Sequence, residues 1–163
     1  MKLALNREYA RNHLFVTVLM AGLGCWFAYD GLVKYPATPA RELYASIEKS
    51  DPPDVMTNAA LEGFKAQKTK TQYGFAALAF LASAVVGLRL LASARFRFEF
   101  DDGGFSVGGE RFAYADVKSV DDRDWEKKGI SRLDLGGRKV VLDAWHHAGV
   151  TEFHSRIASA ERP

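Results

Sequence analysis

Residues 73–91, YGFAALAFLASAVVGLRLL, decide the fold, because they form a long apolar run whose only charged side chain, Arg89, lies near its end. About 20 helical residues at roughly 1.5 Å each cross the hydrocarbon core of a bilayer, which is about 30 Å thick. A guanidinium close to the end of such a helix reaches the interface along its aliphatic stem. The run therefore predicts a transmembrane helix over residues 73–92.

A second apolar run lies closer to the N-terminus. Residues 13–33, HLFVTVLMAGLGCWFAYDGLV, are also long enough to cross a bilayer, and Trp26 and Tyr29 lie near one end, where amphipathic rings favour the interface. A cleaved secretory signal is the alternative, but the run is long for a signal peptide and its aromatic end is a poor cleavage site. Residues 1–33 are predicted to form an N-terminal tail and an uncleaved first transmembrane helix.

Small side chains recur every four residues along the second helix, at Ala79, Ser83 and Gly87. Membrane helices approach one another through such faces, because no hydrophobic effect drives them together inside lipid. Gly24 with Ala28, or Ala21 with Cys25, are the candidates for the opposing face on the first helix. The pattern fits two arrangements, a seam within the hairpin or a docking face for another membrane subunit.

The segment between the two runs, residues 34–72, is polar. Pro36 and Pro39 are predicted to end the first helix, and Pro39 also favours the start of a short new one. After a break at residues 51–54, a helix over 55–70 is predicted to run into the second membrane segment. These two elements contain too few apolar residues for a core, so they either cover each other or bind something.

The periodicity changes to strict alternation from Arg95 onward. Phe96, Phe98 and Phe100 alternate with charged residues, which is typical of a half-buried strand. Glycine-containing turns at 101–104, 108–109 and 136–137 separate further short strands, and a C-terminal helix is predicted over 148–160. The fold class predicted is α+β: two transmembrane helices followed by a small antiparallel sheet or partial barrel with a C-terminal helix.

This order of elements resembles the bacterial pleckstrin-homology-like domains that are fused to paired membrane helices. The resemblance covers about residues 93–160 and rests on FRFEFDDGGFSVGGERFAYADVKSV, residues 96–120, and on VTEFHSRI, residues 150–157. It implies a strongly bent antiparallel sheet in residues 93–163, closed at one end by the C-terminal helix. It further implies a scaffold that binds lipids, peptides or protein surfaces without catalysis.

Charge restricts the partners. The formal net charge of +2 gives no support to a nucleic-acid partner. From Arg95 to Pro163 the chain has 12 basic and 13 acidic residues, and the first turn of the sheet is acidic, Asp101-Asp102. A phosphoinositide site in the sheet domain is therefore not expected, because attraction to anionic headgroups grows with each basic residue near the surface.

Two clusters are candidate sites. His146, His147, Glu152 and His154 carry potential zinc ligands, but their spacing fits no familiar metal motif, so no metal site and no cofactor are predicted. Trp125 lies in a charged loop between Arg123 and Lys127, and the three are predicted to form an interface, because Trp and Arg are enriched at binding hot spots. A solvated loop is the alternative. No nucleophile with a partnered base is evident, and no catalytic residue is predicted.

Two functions remain open at this stage. The first is a non-catalytic accessory or scaffold subunit of a larger membrane complex, whose partners are other membrane protein subunits and membrane lipid. The second is a membrane-tethered recognition domain for a lipid or peptide. Basic residues before the first helix and after the second, such as Arg11 and Arg95, favour both termini in the cytoplasm. The resemblance implies that the membrane is a bacterial inner membrane.

Overall fold

A computed structural model describes residues 1–160 and shows a chain of mixed helix and sheet. The helices are α1 (Arg7–Tyr29), α2 (Tyr35–Ala37), α3 (Ala40–Glu48), α4 (Asn58–Arg95), α5 (Trp125–Lys128) and α6 (Val150–Ala160). The strands are β1 (Ala4–Leu5), β2 (Phe98–Asp101), β3 (Gly104–Val107), β4 (Glu110–Phe112), β5 (Ser119–Asp121), β6 (Ile130–Asp134), β7 (Lys139–Asp143) and β8 (His147–Ala148). A π turn, Asp30–Lys34, joins α1 to α2, and a 3₁₀ turn, Tyr114–Asp116, follows β4.

The chain forms two compact units, which divide it differently from the prediction. Residues 15–87 form a helical unit, whereas residues 1–14 belong to the same unit as the described residues from 88 onward, here called the sheet unit. The predicted N-terminal segment, residues 1–33, is thus split. The physical reason is strand pairing, because β1 pairs antiparallel with β8 and the Leu3 N–H donates to Phe98 O at 2.9 Å.

Two three-stranded antiparallel sheets form the body of the sheet unit, in the orders β2-β3-β4 and β5-β6-β7. The turn of the first hairpin requires glycine at Gly104, where φ is +144° and a Cβ would lie 2.2 Å from Phe112 O. In β2 the alternation predicted from sequence places Phe98 and Phe100 inside and Glu99 outside. The sheets therefore present one apolar face each to a common core.

Aromatic rings fill that core. Phe153 of α6 packs edge-on against Phe98, with ring centroids 4.6 Å apart, and against Phe100 and Phe105, each at 5.3 Å. All four side chains are at most 1% exposed. Edge-to-face pairs of this kind stabilise a core by about 0.5–1.5 kcal/mol each beyond the burial of area. Phe153 thus contacts both strands of the first hairpin, and Val150 and Ile157 of α6 belong to the same core.

Two helical stretches, Arg7–Ala37 and Asn58–Arg95, are long and apolar enough to cross a membrane. Only 11% of the apolar window of each is buried within the chain. The first stretch ends at Ala37, between Pro36 and Pro39, the two prolines predicted to end it. Pro36 has no backbone N–H to donate. It follows directly after the π turn, where the backbone hydrogen bonds already depart from the α-helical pattern, so the helical stretch continues past it.

The polar segment between these stretches covers itself. Tyr44 of α3 contacts Phe64 of α4, with ring centroids 4.9 Å apart, and Glu48 lies 3.5 Å from Lys68. Lys65 Nζ donates to the carbonyl oxygens at the end of the first helical stretch, Pro36 O at 2.9 Å and Thr38 O at 2.8 Å. Of the two alternatives drawn from the sequence, mutual cover is therefore the arrangement in the structure.

Candidate functional site

The small residues of α4 lie against the first helix within the helical unit. Ala79 and Ser83 are each 9% exposed, and Ser83 Oγ donates to Thr17 O at 2.9 Å. A Cβ on Gly87 would lie 3.3 Å from the Thr17 methyl. Thr17 was not singled out from the sequence, although it lies seven residues before Gly24, the spacing of two helical turns on one face.

The two residues predicted on the first helix differ in their surroundings. Gly24 is buried, and a Cβ added there would lie 2.8 Å from the Phe80 ring, so only glycine lets this ring approach the backbone. Ala28 is half-buried. The contact between the two helices therefore has two parts. The Phe80 ring lies close to the backbone at Gly24, and the small residues of α4 lie close to Thr17.

Most apolar side chains of the hairpin point away from the seam. Phe15 is 66% exposed, Trp26 66%, Leu78 64% and Leu81 61%. Exposing an apolar surface of this extent to water is unfavourable. Such a surface marks a contact with lipid or with other proteins. The hairpin thus offers an outward face that its own chain leaves uncovered.

A polar cluster ends the first long helix. Asp30 is 8% exposed, accepts a hydrogen bond from Trp26 Nε1 at 3.1 Å and lies 3.8 Å from Lys34 Nζ. Tyr73 OH donates to Gly31 O at 3.1 Å, which ties the π turn to α4. Residues of this kind anchor a helix at its polar end.

The predicted interface loop is internally paired in part. The Trp125 ring stacks on His154, with centroids 3.8 Å apart, and packs against the core, so the indole is half-buried. Arg123 forms a two-pronged pair with Asp121, which pulls the pKa of that carboxyl well below its usual range and raises the pKa of the guanidinium. Lys127 is exposed. The structure therefore places Trp125 and Lys127 in the short helix α5, not in the predicted loop, and Arg123 two residues before it. The two charged side chains point outward and the ring points inward.

The four potential zinc ligands take separate partners. His147 Nε2 donates to Ser93 O at 2.9 Å, His154 lies 2.9 Å from Asp122, and Glu152 is 3.3 Å from Arg156. Within residues 1–160, no group of three or more ligating side chains is arranged to hold a metal ion. Each side chain of the cluster thus has a structural contact of its own.

An aromatic and imidazole stack joins the start of α1 to the segment before β8. The buried Tyr9 ring lies between His13, at 3.9 Å, and His146, at 4.3 Å. Burial lowers the pKa of His146, and the positive charges of His147, His13 and Arg89 lower it further, whereas Asp143 opposes the shift. The neutral imidazole is therefore the form that this stack favours.

A surface groove of about 560 Å³ runs beside α6. Its lining combines both charge signs: Arg156 pairs with Asp102, contacts Glu152 and lies over the Phe100 ring. Burial raises the pKa of Tyr114, whose hydroxyl donates to Asp101 O at 2.7 Å. The groove thus offers charged and hydrogen-bonding groups and one aromatic ring.

Three features are thus candidates for binding: the outward face of the hairpin, the loop around Trp125 and the groove beside α6. Comparison of the chain with protein-family models, with curated proteins and with solved structures finds no match.

Proposed function

We propose that this chain is a non-catalytic integral membrane protein, an accessory or scaffold subunit of a larger membrane complex. The hairpin packs on the helices of neighbouring subunits, and the sheet unit rests against a surface next to the membrane. The partners are other membrane protein subunits and membrane lipid.

The exposed apolar surface of the two long helices is the observation that carries this proposal. With 11% of each apolar window buried in the chain, nearly all of that surface needs an apolar environment. A bilayer supplies it, and neighbouring membrane helices compete with lipid for the same face through close packing.

The charge pattern of the sheet unit supports a non-catalytic role. Its lowered carboxyl pKa values arise from exposed ion pairs, as for Asp101, which the Arg111 guanidinium holds at about 2, and for Asp124 beside Arg132 and Lys128. Such pairs belong to a solvated surface, whereas active sites shift pKa values through burial in a cleft.

Two further parts of the proposal come from the sequence. The sheet unit is proposed to be a pleckstrin-homology-like domain, and its two three-stranded sheets with a helix packed on their core are compatible with that assignment. Two membrane crossings return the chain to the side on which it began, and the basic flanks favour the cytoplasmic face of a bacterial inner membrane for both termini.

Purification of the full chain in mild detergent, followed by mass spectrometry of the proteins that accompany it, tests the subunit role. We expect a stoichiometric membrane protein partner. Triple substitution of outward apolar residues by alanine, at Phe15, Leu78 and Leu81, should release this partner. The matched control replaces Phe98, inside the sheet unit, by leucine, and should retain it. A solitary monomer under these conditions would overturn the proposal.

The second candidate is a membrane-tethered recognition domain, and the groove beside α6 is the observation in its favour. A lining with both charge signs and the Tyr114 ring suits an extended peptide better than an anionic lipid. Arg156→Ala should weaken peptide capture while Arg123→Ala, which is distant from the lining residues, should not. Screening the full chain against a peptide library provides the measurement, and equal binding by both variants would argue against the groove.

A further inference from the structure

Five arginines of the sheet unit differ from the other arginines of this unit that lie within residues 1–160. All five are exposed, and none of them makes an ion pair with a carboxylate of residues 1–160. They are Arg7, Arg11, Arg89, Arg95 and Arg97, and they are called the arginine belt here.

The arginines further along the chain behave in the opposite way. Each one from 111 to 156 has a carboxylate partner, as in the pairs of Arg111 with Asp101 at 2.5 Å and of Arg138 with Glu110 at 2.9 Å. The remaining pairs are Arg123 with Asp121, Arg132 with Asp124 and Arg156 with Asp102. Among the arginines of this unit that the structure describes, those of the belt are therefore the ones without an internal carboxylate partner.

The belt lies in a narrow band around the two helices. Tyr9 OH lies 3.4 Å from Ser93 Oγ, which places the first turns of α1 level with the last turns of α4. Arg7 and Arg11 are one helical turn apart, and six residues separate Arg89 from Arg95, about 9 Å along the axis. The polar layer on one side of a bilayer is about 5–8 Å deep, and the flexible aliphatic stems of arginine allow guanidiniums that start from a span of about 9 Å to reach it.

Apolar side chains begin at the same level. Leu14, Leu88 and Leu91 are 55%, 65% and 53% exposed. Each lies within three residues of a belt arginine in the sequence. An arrangement of guanidiniums above exposed leucines matches an amphiphile with an anionic head and an acyl chain. A nucleic acid or an acidic protein would complement the charges only.

We propose that the arginine belt binds the headgroups of anionic phospholipids and fixes the depth of the helix pair in the membrane. The inference rests on the proposed membrane insertion. Guanidiniums bind phosphate oxygens through paired N–H donors, and the absence of internal carboxylate partners leaves those donors available. The binding surface is formed by the helix ends, whereas the charge-balanced sheets take no part in it.

Native mass spectrometry of the full chain in detergent micelles, titrated with an equimolar mixture of phosphatidylglycerol and phosphatidylcholine of equal acyl length, tests this proposal. We expect retained phosphatidylglycerol to exceed retained phosphatidylcholine by about tenfold or more, since each basic residue near an anionic surface contributes about fivefold. The variant R7Q/R11Q/R95Q should lose most of this preference. The matched control R111Q/R123Q/R138Q removes the same charge from paired arginines and should retain it.

A salt titration of the unmodified chain gives a second measurement that needs no variant. The preference should fall steeply between about 0.05 and 0.5 M salt, because exposed charges are screened over this range. Equal retention of the two lipids by the unmodified chain, or an equal loss in both variants, would overturn the belt. Release of the chain from native membranes by alkaline carbonate would instead overturn the membrane insertion on which the belt depends.

Discussion

Replacing Leu3 by alanine should loosen the N-terminal strand from the sheet unit. The Leu3 side chain is 4% exposed and belongs to the same core as the phenylalanines of β2 and α6. Leu-to-Ala changes in cores cost about 2–5 kcal/mol. The lower part of this range, about 2–3 kcal/mol, applies here because a short terminal strand relaxes more easily than a central one.

Hydrogen exchange measured by mass spectrometry provides the assay. The reporting amides are those of Leu3, which donates to Phe98 O, of Asn6, which donates to His146 O, and of Phe100, which donates to Met1 O. A loss of about 2–3 kcal/mol in the docking of the strand corresponds to exchange that is roughly 30- to 150-fold faster at these amides.

Leu14→Ala is the matched control, since Leu14 is 55% exposed and lies in the same unit. It should leave exchange at the three amides unchanged. If Leu3→Ala exchanged at the rate of the unmodified chain, the N-terminal strand would not be docked and its assignment to the sheet unit would be refuted.

Three further predictions follow from single contacts. Gly24→Leu should destabilise the helix pair by about 1–3 kcal/mol, because the larger side chain overpacks against the Phe80 ring. Gly22→Leu is the control and should not destabilise the pair, because no atom lies within 4 Å of a Cβ at that position. Thermal unfolding in detergent compares the two variants. Burial holds the folded-state pKa of His146 below its ordinary value of 6.5, so the unfolded chain binds the proton more tightly. Stability should therefore be full above about pH 6.5 and fall as the pH is lowered, and His146→Phe should flatten this dependence in unfolding measurements across pH 5–8. Arg111→Gln should raise the pKa of Asp101 from about 2 toward 3.8 in an NMR titration, and an unchanged pKa would contradict the ion pair as its cause.

Local pattern was sufficient for the elements whose physics is local. The apolar runs predicted two long helices, and the alternation at Phe98 and Phe100 predicted a strand with the rings inside, because side chains repeat every 3.6 residues in a helix and every two in a strand. Glycine-rich turns predicted the hairpins at 101–104 and 136–137, since these turns need a positive φ.

The sequence predicted which residues share a helix face or a charged stretch, but not their contact partners, because those partners lie far away in the sequence. Spacing alone placed Ala79, Ser83 and Gly87 on one helix face, but the identity of the opposing contact, Thr17, depends on the register between two helices. The Trp125 loop was evident as a charged stretch, whereas the stacking of its ring on His154 joins residues that are far apart in the sequence. Their role in binding stays a prediction.

The sequence by itself determined the class of this protein: two apolar helices of membrane length, a polar segment between them and an alternating β region with a closing helix. Only the tertiary structure decided that residues 1–14 belong to the sheet unit, that the belt arginines lack carboxylate partners while those from 111 to 156 have them, and that Tyr9 lies between two imidazoles. The physical reason is sequence distance. A two-residue strand such as β1 has no periodicity to detect, and its stability comes from pairing with β8 more than 140 residues away.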